Sequence, residues 1–121
     1  MPSDRLTAEL REEAPDGVRI HLQGDVDSAA DAALTAAGAE VVARDPRRVI
    51  LDFGDVDYIN STGIALIVSV LARARAERRK VVASGLSPHY REIFDITRLS
   101  DFIELFPDLD RAVSELTHPA A

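Results

Sequence analysis

The run Asn60-Ser61-Thr62-Gly63 stands between a short β-branched segment, Val49-Ile50-Leu51-Asp52-Phe53, and a long apolar stretch, Ile64 to Leu71. A strand-to-helix turn of this kind presents hydroxyl and amide side chains at a helix mouth, where the first backbone amides lack intrahelical acceptors. Asn60 or Ser61 is therefore needed as the N-cap, its side-chain oxygen accepting one of those amides. Capping accounts for one small polar residue and leaves the rest of the run unexplained. Gly63 in particular costs helix propensity of about 1 kcal/mol relative to Ala. A glycine there lets another backbone or a bulky group approach closely.

A nucleophile is the second chemistry open to Ser61. The nucleophile elbow requires Gly-x-Ser-x-Gly, whereas Ser61 is flanked by Ile59 and Gly63, and a base must stand nearby. His21 falls within a strand, His89 at a helix start and His118 in the tail, none of them placed beside Ser61 by sequence. They are surface or half-buried polar residues on this reading, and the chain is not an enzyme.

Gly24-Asp25-Val26-Asp27 and Gly54-Asp55-Val56-Asp57 are two similar acidic segments, expected to be loops leaving strands on the same rim as Ser61. Paired carboxylates suit a hard cation. The second segment lacks the Gly and distal Glu of a calcium loop, so both are expected to be acidic turns without metal. Neither Gly-x-x-x-x-Gly-Lys-Ser/Thr nor Gly-x-Gly-x-x-Gly occurs, so no cofactor is expected.

With 121 residues, the chain is of a size for one domain, expected over 1–121 with a core of about 5–116 and a frayed tail at 117–121. It has no Cys, which excludes disulfides, thiolate metal sites and a cysteine nucleophile. The net charge of −7 argues against general binding of nucleic acid. Bases nonetheless cluster at Arg73, Arg75, Arg78, Arg79 and Lys80, at the end of a helix, where they complement its dipole. No apolar run approaches the ~18 residues of a membrane span, and Met1 to Arg5 lacks a signal peptide's apolar region. A cytoplasmic protein is expected.

The elements that must position these residues follow from turn and capping chemistry. Leu6 to Leu10 and Val18 to Leu22 are expected to form a hairpin across Ala14-Pro15-Asp16-Gly17, with Gly17 taking positive φ. Asp27 or Ser28 caps a helix over Ala29 to Ala43, which Pro46 ends. Val49 to Phe53 has the continuous apolar character of a strand covered on both faces. A helix from about Thr62 to Arg78 is expected to be buried nearly all round at its start. Val81 to Ser84 forms another strand, Ser87 caps a short helix turning Ile93, Phe94 and Ile96 inward, and Phe102 to Phe106 and Asp108 to Leu116 form the last strand and helix. Phe53 and Tyr58 are expected in the core. The fold class is α/β: an N-terminal β-hairpin leading into a mostly parallel sheet of about five strands with about four helices.

Taken together, Tyr58-Ile59-Asn60-Ser61-Thr62-Gly63-Ile64-Ala65-Leu66, then Gly85-Leu86-Ser87-Pro88 and Ile93-Phe94-Asp95-Ile96-Thr97-Arg98-Leu99, resemble the bacterial anti-sigma factor antagonists of the STAS domain family. The likeness covers nearly the whole chain, and Asn60 to Gly63 matches the family's Asp-Ser-Ser/Thr-Gly phosphorylation loop. The resemblance implies an unphosphorylated form that binds an anti-sigma factor with serine/threonine kinase activity and frees a sigma factor. It implies phosphorylation at Ser61, with Thr62 the lesser candidate, and reversal by a phosphatase. Partner contact is expected at Asp25, Asp27, Asp57, Asn60, Ser61, Thr62, Gly63, Ser87 and His89, in a monomer or weak dimer. Asn60 departs from the family's Asp but caps a helix equally well. The alternative is a non-enzymatic STAS scaffold or nucleotide-binding module of a stress-signalling or transport complex.

Overall fold

Strands β1 (Thr7–Glu13) and β2 (Gly17–Val26) pair as the expected antiparallel hairpin in the computed structural model, which describes residues 5–13 and 16–117. Ala14 and Pro15 lie outside the described residues, and the positive φ expected at Gly17 falls instead on Asp16, at 66°. Asp is among the side chains that tolerate that region best. Asp27 then accepts the Ala29 amide at 3.0 Å, capping a 3₁₀ turn (Ser28–Ala30) from which α1 (Asp31–Arg44) continues. Asp45 turns left-handed, and its amide bonds the Val41 carbonyl at 2.8 Å, closing α1 ahead of Pro46.

The chain goes on through β3 (Arg48–Ile59), α2 (Ser61–Ala76), β4 (Lys80–Ser84), α3 (Pro88–Ile96), β5 (Glu104–Phe106) and α4 (Leu109–Thr117). The sheet order is β1-β2-β3-β4-β5, parallel everywhere except the first pair. This is the mostly parallel five-stranded α/β fold expected from the alternation of strands and helices. Of the tail expected to fray, residues 118–121 lie outside the described residues.

Strand alternation divides the core into two layers. Val18, Ile20, Leu22 and Val26 of β2 and Val49, Leu51 and Phe53 of β3 face α1, α2 and α3, meeting Leu34, Val41, Ile67, Leu71 and Phe94. Phe53 and Phe94 pack edge to face with ring centroids 6.1 Å apart. Ile50 and Val82 point the other way and are covered by Ala112, Leu109 and Val113 of α4. Both faces of β3 and β4 are thus buried, as the continuous apolar character of Val49 to Phe53 requires.

Two expectations about burial and one about a strand boundary fail in these elements. Helix α2 is amphipathic at its start: Gly63, Ile67, Leu71 and Ala74 are buried, while Ala65 is exposed and Val68 is 44% exposed. One layer of sheet covers one face of the helix only. Ile96 is 71% exposed because it lies two residues, about 200° of helix, from the fully buried Phe94. Phe102 precedes β5 rather than opening it, and its exposed ring lies under the Arg75 guanidinium, 5.6 Å from the centroid. Of the basic cluster, Arg79 alone is drawn in, bonding Glu77 at 2.8 Å and Asp45 at 3.0 Å. Its hydrogen bond to Glu77 raises the guanidinium pKa further above its ordinary value.

Candidate functional site

Strand β4 stops at Ser84, opposite Asp52, but β3 runs on to Ile59 with β2 as its partner. In that overhang β3 carries extra residues. His21 pairs with Asp52 and Gln23 with Asp55, then Gly24 pairs with Val56 and Asp25 with Tyr58. Each step sets one more residue of β3 than of β2, the signature of a β-bulge, and bulges re-aim the side chains that follow.

This corrects two sequence expectations. The segments Gly24-Asp25-Val26 and Gly54-Asp55-Val56-Asp57 are strand, not exit loops. Tyr58 is not core: it is 50% exposed, one residue before the inward-facing Ile59, which is 5% exposed, and the two bulges carry the inward positions from Phe53 to Val56 and then to Ile59. Phe53, ahead of the bulges, is 2% exposed as expected.

At the end of β3, Asn60 keeps an extended backbone, and its Oδ1 accepts the Gly63 amide at 2.8 Å. The Asn60 amide donates to the Val26 carbonyl at 3.2 Å, and its own carbonyl accepts from Ile64 at 2.9 Å. Asn60 is thus the N-cap, bonded to β2 on one side and α2 on the other. Gly63 is buried with its α-carbon against the Val26 carbonyl, where a β-carbon would overlap the carbonyl carbon and oxygen. That close approach is the reason for a glycine inside the first turn. Ser61 and Thr62 lie on the opposite side of the turn, exposed, with no hydrogen-bond partner for either hydroxyl among the described residues.

The other anticipated residues are distributed as follows. Asp25 is half-buried in β2, opposite Tyr58, and Asp57 is exposed on β3. Asp27 is half-buried and spent as a cap. Asp55 does not share their surroundings: its Oδ2 lies 3.0 Å from Nε2 of His21. Ser87 caps α3 by accepting the Tyr90 amide at 3.3 Å, and His89 is exposed with its ring edge-on to Tyr90 at 4.9 Å. The Tyr90 hydroxyl accepts the Ile59 amide at 3.0 Å, tying the start of α3 to the residue before Asn60.

Two arrangements escaped sequence reasoning. One is that tyrosine. The other is a polar network on the α4 side of the sheet, where Asp52 Oδ2 lies 3.1 Å from Nδ1 of His21 and 3.5 Å from Arg19, while Oδ1 accepts the Gly54 amide at 3.0 Å. The neutral imidazole has one N–H and serves one of its two carboxylates at a time, whereas the imidazolium serves both. With both nitrogens facing carboxylates, His21 pins the first bulge from below. A lone Asp inside the apolar run Val49 to Phe53 was the available signal, since a carboxylate 7% exposed demands partners.

Comparison with known proteins agrees with this fold. BtrV of Bordetella bronchiseptica, provisionally named an anti-sigma factor antagonist, is 41% identical over 93 residues, covering 76% of this chain and 78% of that protein. The anti-sigma-B factor antagonist of Listeria monocytogenes is 27% identical over 100 residues, 83% of this chain and 88% of that one. The crystal structure of an anti-sigma factor antagonist from Mycobacterium paratuberculosis superposes with a TM-score of 0.81 at 22% identity, over 96% of this chain and 97% of that chain. Residues 10–107, most of the sheet and three of its four helices, match the family described as "Mlab, STAS domain", and the chain belongs to the STAS domain family.

Proposed function

We propose that this chain is an anti-sigma factor antagonist whose unphosphorylated form binds an anti-sigma factor with serine kinase activity, frees a sigma factor, and is switched off by phosphorylation of Ser61. The names of the Bordetella and Listeria relatives support the first part. The observation that carries the second is the division of labour in the first turn of α2. Asn60 performs the capping, so the exposed Ser61 hydroxyl has no structural bond to give up.

In the transfer, Ser61 Oγ bonds to the γ-phosphorus of ATP held by the kinase as the bond to ADP breaks, and the hydroxyl proton passes to a base of the kinase. The chain is the acceptor and supplies presentation, not catalysis. A phosphate on Ser61 meets the free amides and positive dipole end of α2, so the domain tolerates it. It also adds about −1.5 to −2 charge at a surface that already holds Asp57, with Asp25 on the neighbouring strand. A partner face complementary to the unmodified site then meets charge and bulk it was not shaped for. Two unit charges ~4 Å apart interact by ~4 kcal/mol at an effective dielectric near 20. The partner surface on this reading comprises Ser61, Thr62, Asp57, Asp25 and the Ser87 to His89 turn, with Asn60 and Gly63 shaping it and Asp27 holding its edge.

Incubation with ATP and a serine-kinase anti-sigma factor, followed by phosphopeptide mapping, is the test. Label on Ser61 and loss of the complex are expected. Label elsewhere, or none, overturns the assignment.

A further inference from the structure

Beyond Asp52 the outer edge of β3 has no strand beside it among the described residues, because β4 ends at Ser84. Backbone amides alternate in direction along a strand. The Asn60 amide points to β2 and bonds the Val26 carbonyl, so the Ile59 amide points to the bare side. Ile59 is 5% exposed, and an amide left there without an acceptor is costly. The Tyr90 hydroxyl, reaching over from α3, supplies that acceptor at 3.0 Å. The tyrosine is itself held: its ring packs on the main core cluster, its amide is bonded to Ser87, and His89 lies against its edge. Nearby, Gly85 adopts φ +80° and comes so close to Gly54 that a β-carbon on it would lie 2.7 Å from the Gly54 amide nitrogen. The connection from β4 to α3 therefore grips the β3 overhang at both ends.

Resting on the reading of Ser61 as phosphoacceptor, we infer that Tyr90 is a positioning residue for phosphorylation. It fixes the backbone one residue ahead of the Asn60 cap and couples the Ser87 to His89 turn to the presentation of the Ser61 hydroxyl. A partner pressing on His89 bears on the ring whose hydroxyl holds Ile59. Contact at α3 is thereby registered at the acceptor two residues beyond Ile59.

The experiment is Tyr90→Phe in the full chain, which deletes the hydroxyl and keeps the ring. Two readouts are compared with wild type: amide exchange at Ile59, and the steady-state rate at which a serine-kinase anti-sigma factor labels Ser61. Expected are Ile59 exchange faster on the order of tenfold and kcat lower by roughly tenfold with KM unchanged, since the docking turn survives while acceptor geometry loosens. A residue acting by packing alone would leave both readouts at wild-type values. Unchanged Ile59 exchange, or faster exchange with unchanged labelling, overturns the positioning role while leaving Ser61 as acceptor. A wild-type chain that is never labelled overturns the acceptor reading itself, and Tyr90's role in phosphorylation falls with it.

Discussion

Gly63 of α2 sits with its α-carbon directly against the backbone carbonyl of Val26, the last residue of β2. That same carbonyl accepts the Asn60 amide at 3.2 Å, so one peptide group of β2 receives the helix from both its cap and its first turn. Where α2 begins is determined by backbone meeting backbone.

Gly63→Ala separates two effects of opposite sign. On propensity alone, alanine stabilises a helix by about 1 kcal/mol over glycine. Here its β-carbon overlaps the Val26 carbonyl, which has no flexible side chain to move aside. The expected result is net destabilisation by about 1–3 kcal/mol, the usual range for forced overpacking, measured by urea unfolding. A more stable variant would refute the close approach.

Asn60→Ala removes the side chain that accepts the Gly63 amide at 2.8 Å. Loss of an N-cap costs about 0.5–2 kcal/mol. Asn60→Asp retains the acceptor and adds a favourable interaction with the helix dipole, so its unfolding midpoint stays at or slightly above that of the wild type. A midpoint for Asn60→Asp as low as that for Asn60→Ala would mean the cap is not made by this oxygen.

Asp52 binds His21, Arg19 and the Gly54 amide while itself nearly buried. Asp52→Ala leaves a guanidinium, an imidazole and a backbone amide short of an acceptor at once. Destabilisation of about 2–3 kcal/mol is expected, since stranding buried polar partners costs more than the pair itself contributes. Asp52→Asn keeps an oxygen for Gly54 and should lose clearly less. Chemical denaturation of the two variants side by side checks the order.

How far the sequence revealed this site depended on whether the determining physics was local. The Asn60 cap, the glycine demanding close approach and the strand-helix alternation could all be inferred from neighbouring residues, because capping, propensity and period act over a few positions. Asp55 was misplaced because the bulged end of β3 stays in the sheet, and a bulge is set by register against β2, not by β3 itself. Tyr58 was misplaced because the strand was expected to end at Phe53, whereas β3 continues to Ile59 and its alternation turns position 58 outward. His21 with Asp52, and Ile59 with Tyr90, are each 31 residues apart in the chain. Neither pair carries a spacing rule, so only the folded sheet brings them together.

The charge switch proposed for Ser61 predicts a graded series. Ser61→Ala cannot accept phosphate and adds no charge, so it binds the anti-sigma factor at least as tightly as wild type. Ser61→Asp adds one negative charge where phosphate would add about −1.5 to −2, so it is the weaker mimic. Because the position is exposed, solvent screens the interaction, and the full ~4 kcal/mol of an unscreened close pair is an upper limit. One third of it, about 1.4 kcal/mol, is already tenfold in affinity. A separation of about tenfold between the variants is therefore expected by titration calorimetry at low salt. It should shrink toward 1 M salt, where the Debye length falls to about 3 Å. Equal affinities at low salt would remove the electrostatic mechanism, and a difference that ignores salt would assign the switch to steric exclusion at the helix mouth.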